Sequence, residues 1–69
     1  MHDIGPACRE WRENLGITQA HIARKAGVTR AHICRFEKGT VGSNRLLYTY
    51  IVLGFPVTLD MVIQYLGGS

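Results

Sequence analysis

The sequence has no long hydrophobic run and few cysteines, and these shortages exclude several classes of protein. No stretch approaches the roughly 20 apolar residues that a membrane-spanning helix requires, so we expect no membrane association. Cys8 and Cys34 occur without a secretory signal. We therefore expect a cytoplasmic protein in which both thiols stay reduced and pack between helices.

Catalytic and metal-binding patterns are also missing. The sequence has no Ser/His/Asp or Cys/His constellation with a supporting motif, no phosphate-binding loop and no carboxylate pair. Its histidines and cysteines lack the spacing of a zinc site, and His32 and Cys34 would point apart on a helix. We expect neither an enzyme nor a bound cofactor or metal.

The remaining composition is that of one small globular domain, residues 1–69, with 46% hydrophobic residues. Eight Lys and Arg against five Asp and Glu give a net charge of +3, which weakly favours a polyanionic partner. A chain of this length buries a marginal core, so a partner subunit is one expected source of extra stability.

Residues 17–39 predict two short helices joined by a tight turn. Thr18 and Thr29 are typical helix N-caps, and Gly27 suits a left-handed turn between the helices. In the second helix, residues 30–38, Ile33 and Phe36 face inward. The outward residues combine cations with small side chains, which leaves a face slim enough to enter a groove; they are Arg30, Ala31, Cys34, Arg35 and Lys38.

The flanking segments predict further helices. Ala7, Cys8, Trp11 and Leu15 form one apolar stripe over residues 7–15. Residues 44–53 form the most apolar helix, which should lie across the others. Residues 57–66 fit both a helix and an alternating strand. We favour the helix because Thr58 can cap it and two glycines end it.

The pieces R-x-x-x-G-I-T-Q, I-A-x-K-A-G-V-T-R and I-x-R-F-E-K-G, all between positions 12 and 39, carry a resemblance. With the flanking core positions, residues 4–66 resemble the helix-turn-helix family of the phage lambda repressor and Cro, also called the XRE family. The resemblance implies an all-α, compact bundle of five helices with its helix-turn-helix at residues 18–38. It also implies a regulator that binds double-stranded DNA.

The resemblance further implies roles for individual residues. Arg12 and Glu37 match a partly buried structural ion pair. The positions expected to contact DNA bases are Arg30, Ala31 and Arg35, and those expected to contact the DNA backbone are Gln19, His32, Lys38, Asn44 and Arg45. Arg9, Arg24 and Lys25 are equally compatible with a solvated surface.

Relatives of this family bind two-fold symmetric operators as dimers, so the resemblance implies a homodimeric repressor. We expect residues 44–66 to cover the core and form the dimer interface. So small a core should not hide all of the apolar residues in this region, and we expect part of the excess to form the interface. The residues concerned are Tyr48, Phe55, Val57, Met61, Val62 and Tyr65. The alternative is an antitoxin that uses the same module for autoregulation and binds a toxin, which an exposed C-terminal strand would favour. A pure protein-interaction module is disfavoured by the Arg30 and Arg35 face.

Overall fold

The computed structural model describes residues 3–67, which form five α-helices and no strand. The helices are α1 (Ile4–Asn14), α2 (Gln19–Ala26), α3 (Arg30–Glu37), α4 (Asn44–Val52) and α5 (Leu59–Leu66). The prediction of an all-α five-helix bundle is confirmed, and the strand alternative for the last element is wrong. None of the helices over residues 3–67 has the length and apolar character needed to cross a membrane.

Side-chain caps begin four of the helices. Thr18, Thr29, Ser43 and Thr58 each occupy the N-cap position, and each side-chain oxygen accepts a hydrogen bond from the backbone N–H three residues later. These bonds satisfy donors that have no partner inside the helix. The starts of α2 to α5 are therefore fixed by local chemistry.

Gly27 forms the turn between α2 and α3 with φ 71° and ψ 37°. This left-handed conformation is strained for any residue with a Cβ and open to glycine. Two backbone N–H groups, those of Gly27 and Val28, close the turn by donating to the carbonyl of Ala23. The turn fixes the direction in which α3 leaves α2.

The core lies between α1, α2, α3 and α4. Phe36 of α3 stacks on Tyr50 of α4 with 5.9 Å between ring centroids. Trp11 of α1 meets both Tyr50 and Phe55 edge-on, at 6.3 Å and 5.9 Å. Four smaller side chains are fully buried around these rings: Cys8, Ile22, Ile33 and Leu46.

The first helix differs from the prediction at both ends. It begins at Ile4, and its buried face is formed by Ile4, Gly5, Cys8 and Arg12. Leu15 was expected in the apolar stripe, but it is 60% exposed. Leu15 is the C-cap residue of α1, so the buried stripe ends one turn earlier than predicted.

The last helix packs by one side only. None of its residues is fully buried, although Met61 and Tyr65 pack against the core. Phe55 lies in the core at 6% exposure. The prediction that the core would not hide Phe55 was therefore wrong. The large apolar side chains that α5 does expose are Leu59, Ile63 and Leu66.

Candidate nucleic-acid interface

Helix α3 presents one exposed face and one buried face. Ile33, Phe36 and Glu37 are buried. Arg30, Ala31, Arg35 and Lys38 are exposed, and His32 and Cys34 are half-buried. The small side chain of Ala31 lies between the long cations, so this face, which we call the α3 cationic face, is both narrow and positive.

The buried end of α3 is held by the carboxylate of Glu37. Arg12 of α1 forms a bidentate ion pair with this carboxylate, from Nε to Oε2 at 2.7 Å and from Nη2 to Oε1 at 3.0 Å. Gln19 of α2 donates from Nε2 to Oε1 at 3.1 Å. The hydroxyl of Tyr50 of α4 donates to Oε2. One carboxylate thus joins α3 to three other helices, and we call these four residues the Glu37 network.

This bonding determines the charge state of the network. Burial disfavours the ionised form of Glu37, but the hydrogen bonds from Arg12, Tyr50 and Gln19 outweigh it and lower the pKa of its carboxyl. The hydrogen bond to Glu37 raises the pKa of Arg12 despite its burial. Burial, together with Glu37, raises the pKa of the Tyr50 hydroxyl. The network therefore contains one buried cation and one buried anion at neutral pH.

Arg12 also fixes the connection between α1 and α2. Its remaining nitrogen, Nη1, donates to the carbonyl of Ile17 at 2.8 Å. Since Ile17 directly precedes the Thr18 cap, this bond helps set where α2 begins. All three side-chain nitrogens of Arg12 are thereby engaged inside the protein.

The start of α4 is held on both of its sides. Ser43 caps the helix by accepting from the N–H of Leu46 at 3.2 Å. The backbone N–H of Ser43 donates to the hydroxyl of Tyr65 on α5. Asn44 and Arg45, the first two residues of α4, are exposed. Arg45 also lies across the end of α2, with Nη1 3.4 Å from the carbonyl oxygen of Ala26.

The structure thus brings together some of the residues singled out from the sequence and gives others unexpected partners. Arg12, Gln19 and Glu37 meet in one network, whereas Arg30, Ala31 and Arg35 are exposed on α3 and belong to no part of it. The Tyr50 and Tyr65 hydroxyls have roles that the sequence did not predict. A tyrosine within an apolar helix is a signal that a buried polar group needs a partner, but it does not identify the partner.

Comparison with protein families agrees with this geometry. A family described as helix-turn-helix matches residues 9–44, just over half of the chain. The chain belongs to the lambda repressor and Cro-like (XRE) helix-turn-helix family. Comparison with curated proteins gives no match, and comparison with solved structures gives none either.

Membership of the XRE family makes this chain a DNA-binding helix-turn-helix regulator, with double-stranded DNA as its partner. The matched segment runs from within α1 to the start of α4 and includes α2 and α3 complete. It therefore includes the α3 cationic face and most of the Glu37 network. Helix α5 and most of α4 lie beyond it.

Proposed function

We propose that the protein is a dimeric transcriptional repressor that inserts α3 into the major groove of its operator. The observation that carries this proposal is the α3 cationic face, exposed on a helix whose opposite side is tied to three other helices. A recognition element must hold its side chains at a fixed angle to the DNA. The Glu37 network supplies a physical means of doing so.

Base recognition is assigned to Arg30, Ala31 and Arg35. A guanidinium matches the O6 and N7 acceptors of guanine, and one such pair is worth about 1–3 kcal/mol of discrimination. Arg30 is the first residue of α3, the end of a recognition helix that lies nearest the base edges. Ala31 leaves room for close approach, and Arg35 lies about one turn beyond Ala31 on the same face.

Backbone contacts are assigned to residues that surround this face. Gln19 opens α2, and Asn44 and Arg45 open α4, where backbone N–H groups favour phosphate. His32 lies on α3 and Lys38 is its C-cap residue, so both flank the base-reading residues. These contacts fix the register of the protein on DNA and carry the salt dependence of binding.

Arg12 and Glu37 are assigned a structural role. Both are buried, and their polar atoms are engaged inside the protein. Removing one partner of such a pair leaves the other charge buried and unpaired. We therefore propose that these residues act on DNA binding only by holding α1, α2 and α3 together.

The proposed dimer forms through the C-terminal region. Leu59, Ile63 and Leu66 are spaced i, i+4 and i+7, so they form one apolar stripe along α5. A two-fold dimer would present two α3 helices to successive major grooves about 34 Å apart. Repression by excluding polymerase from the occupied DNA is the simplest output of such a dimer in the cytoplasm.

The helical state of residues 59–66 supports this proposal over the antitoxin alternative. An exposed C-terminal strand would have favoured a toxin-binding tail, whereas α5 packs Met61 and Tyr65 against the core. A toxin remains a second possible occupant of the apolar stripe. A 1:1 complex with the product of a neighbouring gene, in place of a homodimer, would favour the antitoxin.

The DNA-binding proposal is tested by titrating the protein with the DNA upstream of its own gene and with random DNA, at two salt concentrations. We expect tighter binding to the upstream DNA, and we expect Arg30→Ala to remove most of that preference. Equal affinity for the two DNAs would reject the repressor.

The dimer proposal is tested by sedimentation of Ile63→Asp. Ile63 is 58% exposed in the single chain, so a charge there leaves the fold intact but opposes burial of the stripe. We expect a monomer that binds the operator weakly. The matched control is Gln64→Asp, which adds the same charge at an exposed position that was already polar. Dimers that persist in Ile63→Asp would place the interface elsewhere.

A further inference from the structure

The side chain of Tyr65 connects the last helix to the loop before α4. Its hydroxyl accepts the backbone N–H of Ser43, and its ring meets Phe36 of α3 edge-on, with 6.4 Å between centroids. Ser43 in turn caps α4 through its own hydroxyl. Tyr65 therefore contacts both the end of α3 and the beginning of α4, although it belongs to neither helix.

Gly42 provides the space for this contact. A Cβ at position 42 would lie 3.2 Å from the Tyr65 hydroxyl oxygen and 3.8 Å from the ring carbon that bears it. Gly42 is not among the glycines with positive φ, so its backbone conformation is one that other residues adopt. A methyl group at position 42 would therefore make a tight contact, and the atom that it would crowd most is the hydroxyl oxygen.

We propose that Tyr65 is a positioning residue for the DNA-backbone contacts at the start of α4, a proposal that rests on the DNA-binding function proposed above. By holding Ser43, the hydroxyl fixes the direction of the first turn of α4. That turn carries the free N–H groups and the Arg45 side chain that are assigned to a phosphate. Phosphate binding at this end of the site then depends on the docking of α5.

The packing of α5 explains why one hydrogen bond has this effect. The helix has no fully buried residue, so its docking rests on partly buried side chains such as Met61 and Tyr65. Apolar contacts of this kind are not directional, whereas the bond to Ser43 specifies a position. Arg45 spans from α4 to the end of α2, so a shift in the start of α4 changes where its guanidinium lies.

The test begins with Tyr65→Phe, which removes the hydroxyl and keeps the ring. We expect wild-type helix content and dimerisation. DNA affinity should fall by about 3- to 10-fold, the usual effect of one hydrogen bond. The slope of log affinity against log salt should become shallower by up to about 1, corresponding to one lost phosphate contact. Gln64→Ala, at an exposed position beside Tyr65, is the matched control and should retain both quantities.

A second variant, Gly42→Ala, places a methyl group against the hydroxyl oxygen. Alone, it should weaken binding as Tyr65→Phe does. Combined with Tyr65→Phe, it should cause little further loss, because the atom that the methyl group crowds is gone. This non-additivity shows that both variants act through the hydroxyl oxygen, and the salt slope separates positioning from general destabilisation.

Several outcomes overturn the proposal. Wild-type affinity and salt slope in Tyr65→Phe would show that the hydroxyl does not position the contact. Weaker binding with an unchanged slope would show a purely structural role. Additive losses in the double variant would show that the hydroxyl is not the atom through which position 42 acts. Failure of the repressor proposal can be told apart from failure of the Tyr65 proposal, because phosphate contacts form on random DNA as well as on an operator. If wild type bound all DNA equally, these comparisons would still apply; if it bound none, both proposals would be overturned.

Discussion

The side-chain amide nitrogen of Gln19 lies 3.1 Å from Oε1 of Glu37, which joins the first residue of α2 to the buried end of α3. An amide nitrogen carries two hydrogens, so one can bond Glu37 while the other points to a phosphate. The same carboxylate oxygen accepts from Arg12. The residue proposed to hold the DNA backbone and the helix proposed to enter the groove therefore share one anchor.

The first prediction concerns the charge pair in this anchor. Arg12→Leu leaves the Glu37 carboxylate buried without its cation. We expect the free energy of unfolding to fall by about 3–5 kcal/mol, as for other broken buried pairs. For a domain of this size that is a large part of the total stability. Urea denaturation followed by circular dichroism measures it.

Two controls accompany the Arg12 variant. Arg9→Leu removes the exposed pair between Arg9 and Glu13, which lie 3.3 Å apart, and should cost at most about 1 kcal/mol. The double variant Arg12→Leu/Glu37→Leu removes both buried charges, so it should be more stable than Arg12→Leu alone. Equal stability of the two single arginine variants would show that the buried pair stabilises the fold no more than the exposed pair does.

The second prediction concerns acid stability. The pKa of Glu37 lies below its ordinary value of 4.5 in the folded protein. Above pH 4.5 the carboxyl is ionised in both folded and unfolded chains, so its stabilising effect is complete. Below pH 4.5 the unfolded chain takes up a proton first, so stability is lost as the pH falls through the folded pKa. Unfolding free energies measured at a series of acidic pH values should show this loss.

The comparison for this prediction is the same double variant, Arg12→Leu/Glu37→Leu, which has no carboxyl at position 37. Its free energy of unfolding should decline less steeply below pH 4.5, because the exposed carboxylates contribute equally to both proteins. Parallel curves for the variant and the wild type would contradict the assignment of this pH dependence to Glu37.

Local chemistry explains why the helix-turn-helix was predictable from the sequence. The caps at Thr18 and Thr29 and the left-handed turn at Gly27 involve residues within a few positions of each other. Their geometry is therefore determined by short stretches of sequence. The apolar spacing of Ile33 and Phe36 similarly identifies the inner side of α3, and by elimination its outer side.

The features that could not be predicted join residues far apart in the chain. The hydroxyl of Tyr50 bonds Glu37, and that of Tyr65 bonds the N–H of Ser43, across 13 and 22 positions. An apolar pattern shows that a ring is buried but not where its polar end lies. Leu15 illustrates a different failure: its spacing fits the apolar stripe, but it lies at the C-cap of α1 and is exposed instead of buried in the expected core.

The third prediction concerns the two thiols. Burial, with a smaller contribution from Glu37, raises the pKa of Cys8 to about 12. Since the thiolate is the reactive form, Cys8 should react with an aromatic disulfide reagent only after unfolding. Cys34 is half-buried on α3 and should react in the native protein. Cys34→Ser should abolish the native reaction, and Cys8→Ala should leave it.

DNA extends the same measurement. Cys34 lies next to Arg35 on the helix assigned to the major groove, so bound operator should slow its modification. Operator should slow the modification of Cys34, whereas a short single strand of the same composition should not. Equal native reaction rates for both thiols would contradict the burial of Cys8, and full reactivity of Cys34 in the complex would place α3 away from the DNA.

The last prediction separates the anchoring role of Gln19 from base reading. Gln19→Ala removes a donor to phosphate, which every DNA sequence carries. Affinity for the operator and for random DNA should therefore fall by the same factor, roughly tenfold for a hydrogen bond to a charged acceptor. Fluorescence anisotropy titrations on both duplexes give this factor, with Gln64→Ala as the matched control. Arg30→Ala should instead reduce the ratio of the two affinities, so a changed ratio in Gln19→Ala would reassign Gln19 to base recognition.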